Sequence, residues 1–143
     1  MSAERRSEHA DRLRGVDREM TQSFFVPGVL PGLNEIISAA KVRRGKWSAY
    51  LKMKQQYGQD LYFTIKKADL KPMPRAFIHF EWCEKNQRRD PDNVSAGGRK
   101  FILDALVNSG VLKGDGWEQI AGFHERFIVD KFNPGVNVTL EEL

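Results

Sequence analysis

Large side chains recur along the chain at two spacings, one typical of helices and one typical of strands. The segment from Trp47 to about Leu70 places them three and four residues apart, which predicts an amphipathic helix. Its stripe contains Tyr50, Leu51, Lys54, Tyr57, Leu61 and Ile65. A second helix is predicted from Asn93 to about Asn108, with Gly110 as a stop signal after its end. Its apolar stripe contains Val94, Phe101, Ile102, Ala105 and Leu106.

Four further segments have the alternation, or the aromatic and β-branched content, that strands favour. They are SFFVP at 23–27, AFIHFEWC at 76–83, and WEQIAGFHERFIVDK and GVNVTLEEL on either side of a turn at FNPG. A short helical turn is compatible with LNEIISAA. The order strand, helix, strand, helix, strand, strand predicts an α/β (α+β) fold, in which a mixed sheet packs against two main helices.

The length of 143 residues fits one domain and is too short for two ordinary ones. Residues 1–22 carry five basic and five acidic side chains with almost no large apolar ones, which predicts a charged flexible tail. The domain is therefore expected to comprise residues 23–143.

Several classes of protein are not expected from this sequence. No apolar run is long enough to cross a bilayer and the N-terminus is charged, so we expect a cytoplasmic protein that does not contact membranes. Neither a GxxxxGK[ST] loop nor a GxSxG motif occurs, which argues against a nucleotide cofactor and against serine catalysis. Histidines lack partners at metal-ligand spacing, so zinc is not expected. Cys83, the single cysteine, is expected to be a buried, unreactive thiol.

The net charge of +4 is unevenly distributed. Residues 41–100 carry 15 Lys or Arg against 6 Asp or Glu, whereas residues 101–143 carry 3 against 7. A cationic middle segment favours a polyanion such as nucleic acid, although solvated surface charge is the alternative. The cations expected to contact phosphates in KVRRGKWSAYLKMK are Lys41, Arg43, Arg44, Lys46, Lys52 and Lys54. In the same segment Tyr50 is expected to pack in the core, whereas Trp47 is open to either packing or base stacking.

The segment QRRDPDN at 87–93 carries the strongest candidate chemistry. Pro91 disfavours the helical region for Asp90, so the chain is expected to be extended there, with the carboxylates of Asp90 and Asp92 on the same side. Two adjacent carboxylates repel each other unless a cation lies between them. Oxygen ligands suit Mg²⁺, or Mn²⁺ in its place. Taken alone, the spacing fits a turn and a helix N-cap better than a metal site.

Asp115, in the loop KGDGW, is a candidate third carboxylate if the fold returns that loop to Asp90. An ordinary Asp-Gly turn is the alternative.

These motifs together resemble the RusA group of Holliday junction resolvases, which occur in phages and prophages. The resemblance rests on RRDPDN, a lysine in a helix that closes with LDAL, the aspartate in GVLKGDG, and an early strand with an LPGLNE turn. It covers roughly residues 23–143. It implies that Asp90, Asp92 and Asp115 are catalytic and bind metal, and that Lys100 is the family's essential lysine.

One departure concerns Lys100. In the best-known form of the family the lysine follows the asparagine by three residues, whereas here it follows Asn93 by seven. Four extra residues add about 400° and about 6 Å, so the lysine stays near the same helix face. Arg99 is its neighbour and an alternative for the role of stabilising negative charge on the phosphate. Arg88 and Arg89, beside the aspartates, are expected to grip the scissile strand.

The sequence therefore predicts a Mg²⁺-dependent endonuclease that cuts four-way DNA junctions. Because a junction needs paired nicks in opposing strands, a two-fold homodimer is expected, as the resemblance also implies. Two alternatives are a non-catalytic protein that binds branched DNA and a nuclease that prefers other branches such as flaps.

Overall fold

The computed structural model describes residues 20–143, which form a four-stranded mixed sheet, a two-stranded hairpin and three helices. The main sheet contains β1 (Thr21–Pro27), β4 (Ala76–Glu84), β5 (Ile120–Val129) and β6 (Gly135–Glu142). The hairpin contains β2 (Arg43–Arg44) and β3 (Trp47–Ser48). The helices are α1 (Leu33–Ala40), α2 (Ala49–Ala68) and α3 (Pro91–Asn108). The predicted α+β class is confirmed. The predicted tail lies outside the described residues up to position 19, and β1 begins at Thr21.

The hairpin replaces the start that the sequence predicts for the first long helix. Ser48 is the N-cap of α2 and its hydroxyl accepts a hydrogen bond from the Leu51 backbone N–H at 3.0 Å. The helix therefore begins at Ala49, and Trp47 belongs to a strand instead. Gly45 has a φ of +61°, a conformation that glycine adopts without steric cost, and it closes the turn between β2 and β3.

The strand order β1-β6-β4-β5 places β5 at one end of the sheet. β6 pairs antiparallel with both β1 and β4, whereas β4 and β5 run parallel and are joined through α3. The pairing of β4 with β5 runs from Ala76 opposite Ile120 to Glu84 opposite Val129. A nine-residue strand spans about 26 Å, so features at the two ends of β4 lie about that far apart.

Helices α2 and α3 cover one face of the sheet, as the sequence predicts for its two main helices. The whole predicted stripe of α3 is buried against this face. In α2 only Leu61 and Ile65 are fully buried, and Leu51 is 51% exposed. The stripe of α2 therefore contacts the core mainly through its second half.

The other face of the sheet carries buried polar side chains. Glu81 is fully buried, with its carboxylate 3.2 Å from Arg126 Nη1 and 3.2 Å from Asn137 Nδ2. Cys83 is buried on the same strand, as predicted. His79 shares a 3.0 Å contact with the Glu141 carboxylate.

Within residues 20–143, no helix combines the length and the apolar content needed to cross a bilayer.

Candidate active site

Asp90 lies where the chain leaves β4 and enters α3. Its ψ of 147° is extended, as the steric effect of Pro91 predicts. Asp90 occupies the N-cap position, yet within the described chain its side chain makes no capping hydrogen bond. An aspartate at this position normally stabilises the helix by accepting from the first-turn N–H groups. Asp90 is exposed.

Asp92 lies at the same end of α3, but its backbone is helical and not extended as expected. The sequence predicts an extended segment through both aspartates, but α3 already begins at Pro91, two residues before the predicted start. Proline is favoured at the first helical position because its fixed φ suits the helix and its missing N–H is not needed there. Asp92 is thus an exposed residue of the first helical turn. Both aspartates lie at a helix N-terminus, and the prediction that an extended chain holds their carboxylates on one side is wrong, because Asp92 is already helical.

The N-terminus of α3 favours negative charge. The first amide that bonds within the helix is that of Val94, which donates to the Asp90 carbonyl at 3.1 Å. Earlier amides point out of the helix end, and the aligned peptide dipoles add a partial positive charge there. This end can therefore stabilise two carboxylates, and it can also attract a phosphate.

Arg89 fixes the segment that carries Asp90. Its Nε and Nη2 donate to the two oxygens of Glu84 at 2.8 and 2.9 Å, and its Nη1 donates to Glu35 and to the Leu30 carbonyl, both at 3.0 Å. The guanidinium is thus turned into the protein, joining the end of β4 to α1. This arrangement differs from the expected DNA contact, because the guanidinium donates to Glu84, Glu35 and the Leu30 carbonyl and its side chain is only 19% exposed. Arg88 is exposed beside it.

The charges of Glu35 and Arg89 stabilise each other. Burial acts to raise the pKa of Glu35, but the Arg89 hydrogen bond and charge, the backbone and the Asn93 amide outweigh it, so the pKa of Glu35 is lowered. The Glu84 hydrogen bond is the largest influence on Arg89, and with Glu35 it raises the pKa of Arg89 against the opposing effect of burial. Both groups are therefore charged at neutral pH.

Asn93 joins α3 to the turn that precedes α1. Its Oδ1 accepts from the Asn34 backbone N–H at 2.8 Å, and its Nδ2 lies 3.5 Å from Glu35 Oε2. Two glycines allow this approach. A Cβ on Gly32 would lie 2.7 Å from the Asn93 amide, and a Cβ on Gly97 would lie 2.4 Å from the Gly32 backbone. The LPGLNE and RRDPDN motifs are therefore packed against each other.

Sequence reasoning missed the roles of Glu35, Glu84 and Asn93 in this network, which we call the Arg89 clamp (Arg89, Glu84, Glu35 and Asn93). The available signal was the occurrence of two turn-like motifs, LPGLNE and RRDPDN, far apart in the sequence of the same predicted domain. Their contact became visible only with the fold.

The two candidate basic residues on α3 have different partners. Arg99 lies seven residues after Asp92, about 20° short of two full turns, so both lie on one helix face. Its guanidinium is ion-paired with Glu125 and lies 4.9 Å from the centre of the Phe123 ring. Lys100 is turned about 80° away from Asp92. It is 57% exposed and its Nζ lies 3.7 Å from Asp104. Position on the helix face of Asp92 thus supports Arg99 as the candidate basic residue. Greater side-chain exposure supports Lys100 instead.

Asp115 lies at the opposite end of the sheet from Asp90. Its loop is closed by backbone hydrogen bonds from Gln119 and Ile120 to the Gly116 carbonyl, at 3.2 and 3.0 Å. Ile120 pairs with the first residue of β4, whereas Asp90 follows the end of that strand. The fold therefore does not return this loop to Asp90 within one chain. Accordingly, no three His, Cys, Asp or Glu side chains among residues 20–143 are grouped so that they could hold a metal ion.

The basic segment after α1 is displayed on the surface. All residues from Lys41 to Trp47 are exposed, and so are Lys52 and Lys54 at the start of α2. Trp47 is 48% exposed and Tyr50 is half-buried. The six predicted phosphate contacts are thus all accessible to a polyanion.

No family model matches the chain, and no curated protein has a significant match to it.

Proposed function

We propose that this protein is a divalent-metal-dependent endonuclease that cuts branched DNA, with the four-way junction as its substrate. The observation that carries the proposal is the exposure of Asp90 and Asp92 at the N-terminus of α3. Both carboxylates are exposed at the positive end of α3, and within residues 20–143 the Asp90 side chain makes no capping hydrogen bond. A partly buried ion-pair network fixes the chain beside them.

The donor chemistry of this pair fits a hard cation. Mg²⁺ commonly takes one or two protein carboxylates and keeps waters and phosphate oxygens as its other ligands. Asp90 and Asp92 would hold Mg²⁺ or Mn²⁺. Such an ion supplies a Lewis acid for the phosphate and a more acidic bound water.

Other residues of the chain would hold the DNA. Arg88 is exposed two residues before Asp90 and would bind a phosphate at the scissile strand. The exposed cations of the β2–β3 hairpin and of early α2 would contact phosphates further away. Lys100, or Arg99 if Glu125 releases it, would stabilise charge that develops on the phosphate. The proposed place of action is the cytoplasm.

The position of Asp115 supports a homodimer. If Asp115 contributes to the same site as Asp90, it must come from a second chain, because about 26 Å of strand separates the two ends within one chain. A two-fold dimer would then contain two equivalent composite sites. Two sites also match the paired nicks that junction resolution requires.

The direct test is incubation of the purified protein with a synthetic four-way junction in Mg²⁺. We expect symmetric nicks, and we expect Asp90→Asn or Asp92→Asn to reduce the rate at least a hundredfold, because each removes a proposed metal ligand. Asp60→Asn is the matched control, since Asp60 is an exposed aspartate on α2. It should cut at the wild-type rate.

Two other outcomes would replace this function. Tight junction binding without cleavage in Mg²⁺ or Mn²⁺ would make the protein a non-catalytic binder of branched DNA. Faster cutting of a flap than of a junction would make it a nuclease for other branches.

A further inference from the structure

Trp47 lies in the β2–β3 hairpin, which forms a sheet separate from the main one. Trp47 is 48% exposed. Within residues 20–143, its ring makes no aromatic or cation–π contact. A single exposed aromatic residue is ordinary on a protein surface. The charges around Trp47 and the register of its hairpin therefore decide whether the ring has a role.

The chain on both sides of Trp47 carries positive charge only. Residues 41–54 contain six Lys or Arg and no Asp or Glu. All six cations are exposed. Proteins that bind unpaired nucleic acid combine a cationic surface with aromatic rings on which the bases stack. This segment has both components.

The register of the hairpin places an arginine beside the ring. Arg44 lies directly opposite Trp47. Directly opposed residues of an antiparallel pair project from the same face, with their Cβ atoms about 5 Å apart. The turn at Gly45 and a hydrogen bond of 3.1 Å from the Ala49 N–H to the Val42 carbonyl close the two ends of the hairpin. One nucleotide offers a base face and a phosphate, which match the indole of Trp47 and the guanidinium of Arg44.

We propose that the β2–β3 hairpin binds unpaired bases of branched DNA, with Trp47 as the stacking surface and Arg44 as the ligand of a neighbouring phosphate. This assignment deepens the proposed nuclease function, from which it takes DNA as the partner. A continuous duplex exposes its phosphates but stacks its bases on each other, whereas a strand that leaves the duplex at a branch exposes base faces. The ring thus favours branched DNA over a duplex of equal charge.

The hairpin lies within reach of DNA that is held at Asp90. Asn93, three residues after Asp90, is hydrogen-bonded to the Asn34 backbone at the start of α1. The eight residues of α1 span about 12 Å, and the three residues from its end to the first residue of β2 add at most about 10 Å. About seven stacked nucleotides cover the sum of these lengths. One DNA strand can therefore contact both places.

Tryptophan fluorescence reports on the ring itself. The chain has three tryptophans, of which Trp82 is only 2% exposed. In a Trp117→Phe background, Trp47 is thus the one accessible indole. We expect its fluorescence to be quenched by a twelve-nucleotide oligothymidylate without metal, and much less by an abasic strand of the same length and charge. Equal quenching by the two strands would overturn the stacking role.

Binding of a labelled oligothymidylate measures the contribution of the ring. Trp47→Ala should weaken it about five- to a hundredfold, the range for loss of one base–aromatic stack. The affinity for the abasic strand should not change, and Trp47→Phe should keep most of the affinity for the oligothymidylate. Trp117→Ala, which removes the other exposed tryptophan, should bind as the wild type. Equal loss for the abasic strand would make Trp47 a structural residue and refute the proposal.

Salt dependence separates the ring from the cation. Stacking releases no counterions, so Trp47→Ala should keep the wild-type slope of log affinity against log salt concentration. Arg44→Ala removes one phosphate contact and should make the slope shallower by about 0.7, the value per phosphate for single strands. A shallower slope for Trp47→Ala, or an unchanged slope for Arg44→Ala, would contradict these assignments.

Junction cleavage in Mg²⁺ is measured separately, so the two proposals can fail independently. Binding that depends on Trp47 in a protein that cuts no junction would overturn the nuclease and leave the hairpin assignment standing. Junction cleavage together with unchanged oligothymidylate affinity in Trp47→Ala would do the reverse.

Discussion

Arg88 and Arg89 are adjacent in sequence and have different environments. The side chain of Arg89 is 19% exposed and bound by two carboxylates and a carbonyl, whereas Arg88 is exposed. The difference arises because the two residues point to different sides of the segment that leaves β4. Arg89 thus acts as a structural residue that positions Asp90, and Arg88 is left as the candidate for contact with DNA.

Substitution separates these two roles. Arg89→Ala leaves Glu84 and Glu35 without their cation, and we expect it to lower the free energy of unfolding by about 2–4 kcal/mol, somewhat less than a fully buried pair would. Arg88→Ala should change stability by less than about 0.5 kcal/mol, as for most surface substitutions. Urea denaturation measures both. Equal stability of the two variants would contradict the Arg89 clamp.

The pH dependence of stability provides a second test of the clamp. Because the pKa of Glu35 is lowered by folding, its stabilising effect is complete above the ordinary glutamate pKa of about 4.3 and is lost as the pH falls through the lower folded-state value. Glu35→Gln should therefore melt at a lower temperature than the wild type at pH 7, and the difference should shrink at pH 3. Asp60→Asn, at an exposed position on α2, should show no such trend. A difference that stays constant with pH would exclude this role of Glu35.

At the scale of elements, periodicity predicted both long helices and all four strands of the main sheet. It failed for the β2–β3 hairpin, because a two-residue strand is too short to show alternation. It could not reveal why α3 contains two consecutive glycines, since helix propensity alone counts both as weak points. Tertiary packing explains both glycines. A Cβ on Gly97 would meet the Gly32 backbone, and one on Gly98 would lie 2.5 Å from the Trp82 ring.

Two matched glycine substitutions test this explanation. Alanine exceeds glycine in helix propensity by about 1 kcal/mol, so Gly58→Ala on α2, where a Cβ meets nothing within 4 Å, should stabilise the protein by about 0.5–1 kcal/mol. Gly97→Ala should instead destabilise it by more than about 1 kcal/mol, because the rigid backbone of the LPG turn must move. Urea denaturation of both variants gives the comparison. Stabilisation by both would show that α3 does not need this close approach.

At the scale of the whole molecule, the sequence predicted candidate residues for the site but not their arrangement. Asp90 and Asp92 are separated by one residue, so any fold keeps them near each other. The position of Asp115 depends on the direction of β5, and because β5 runs parallel to β4 its preceding loop lies at the far end of the sheet. Parallel pairing is a property of the complete topology, so neither spacing nor motif order could reveal it. A site that includes all three aspartates consequently requires two chains.

Mixing of two inactive variants tests this account most directly. Asp90→Asn and Asp115→Asn should each be unable to cut a four-way junction in Mg²⁺. In a mixed dimer, composite sites place both substitutions in one site and leave the other intact, so co-refolded or subunit-exchanged protein should recover nicking of one strand. Recovery of nicking is the expected result. A mixture as inactive as its separate components, with mixed dimers demonstrated in the sample, would contradict it.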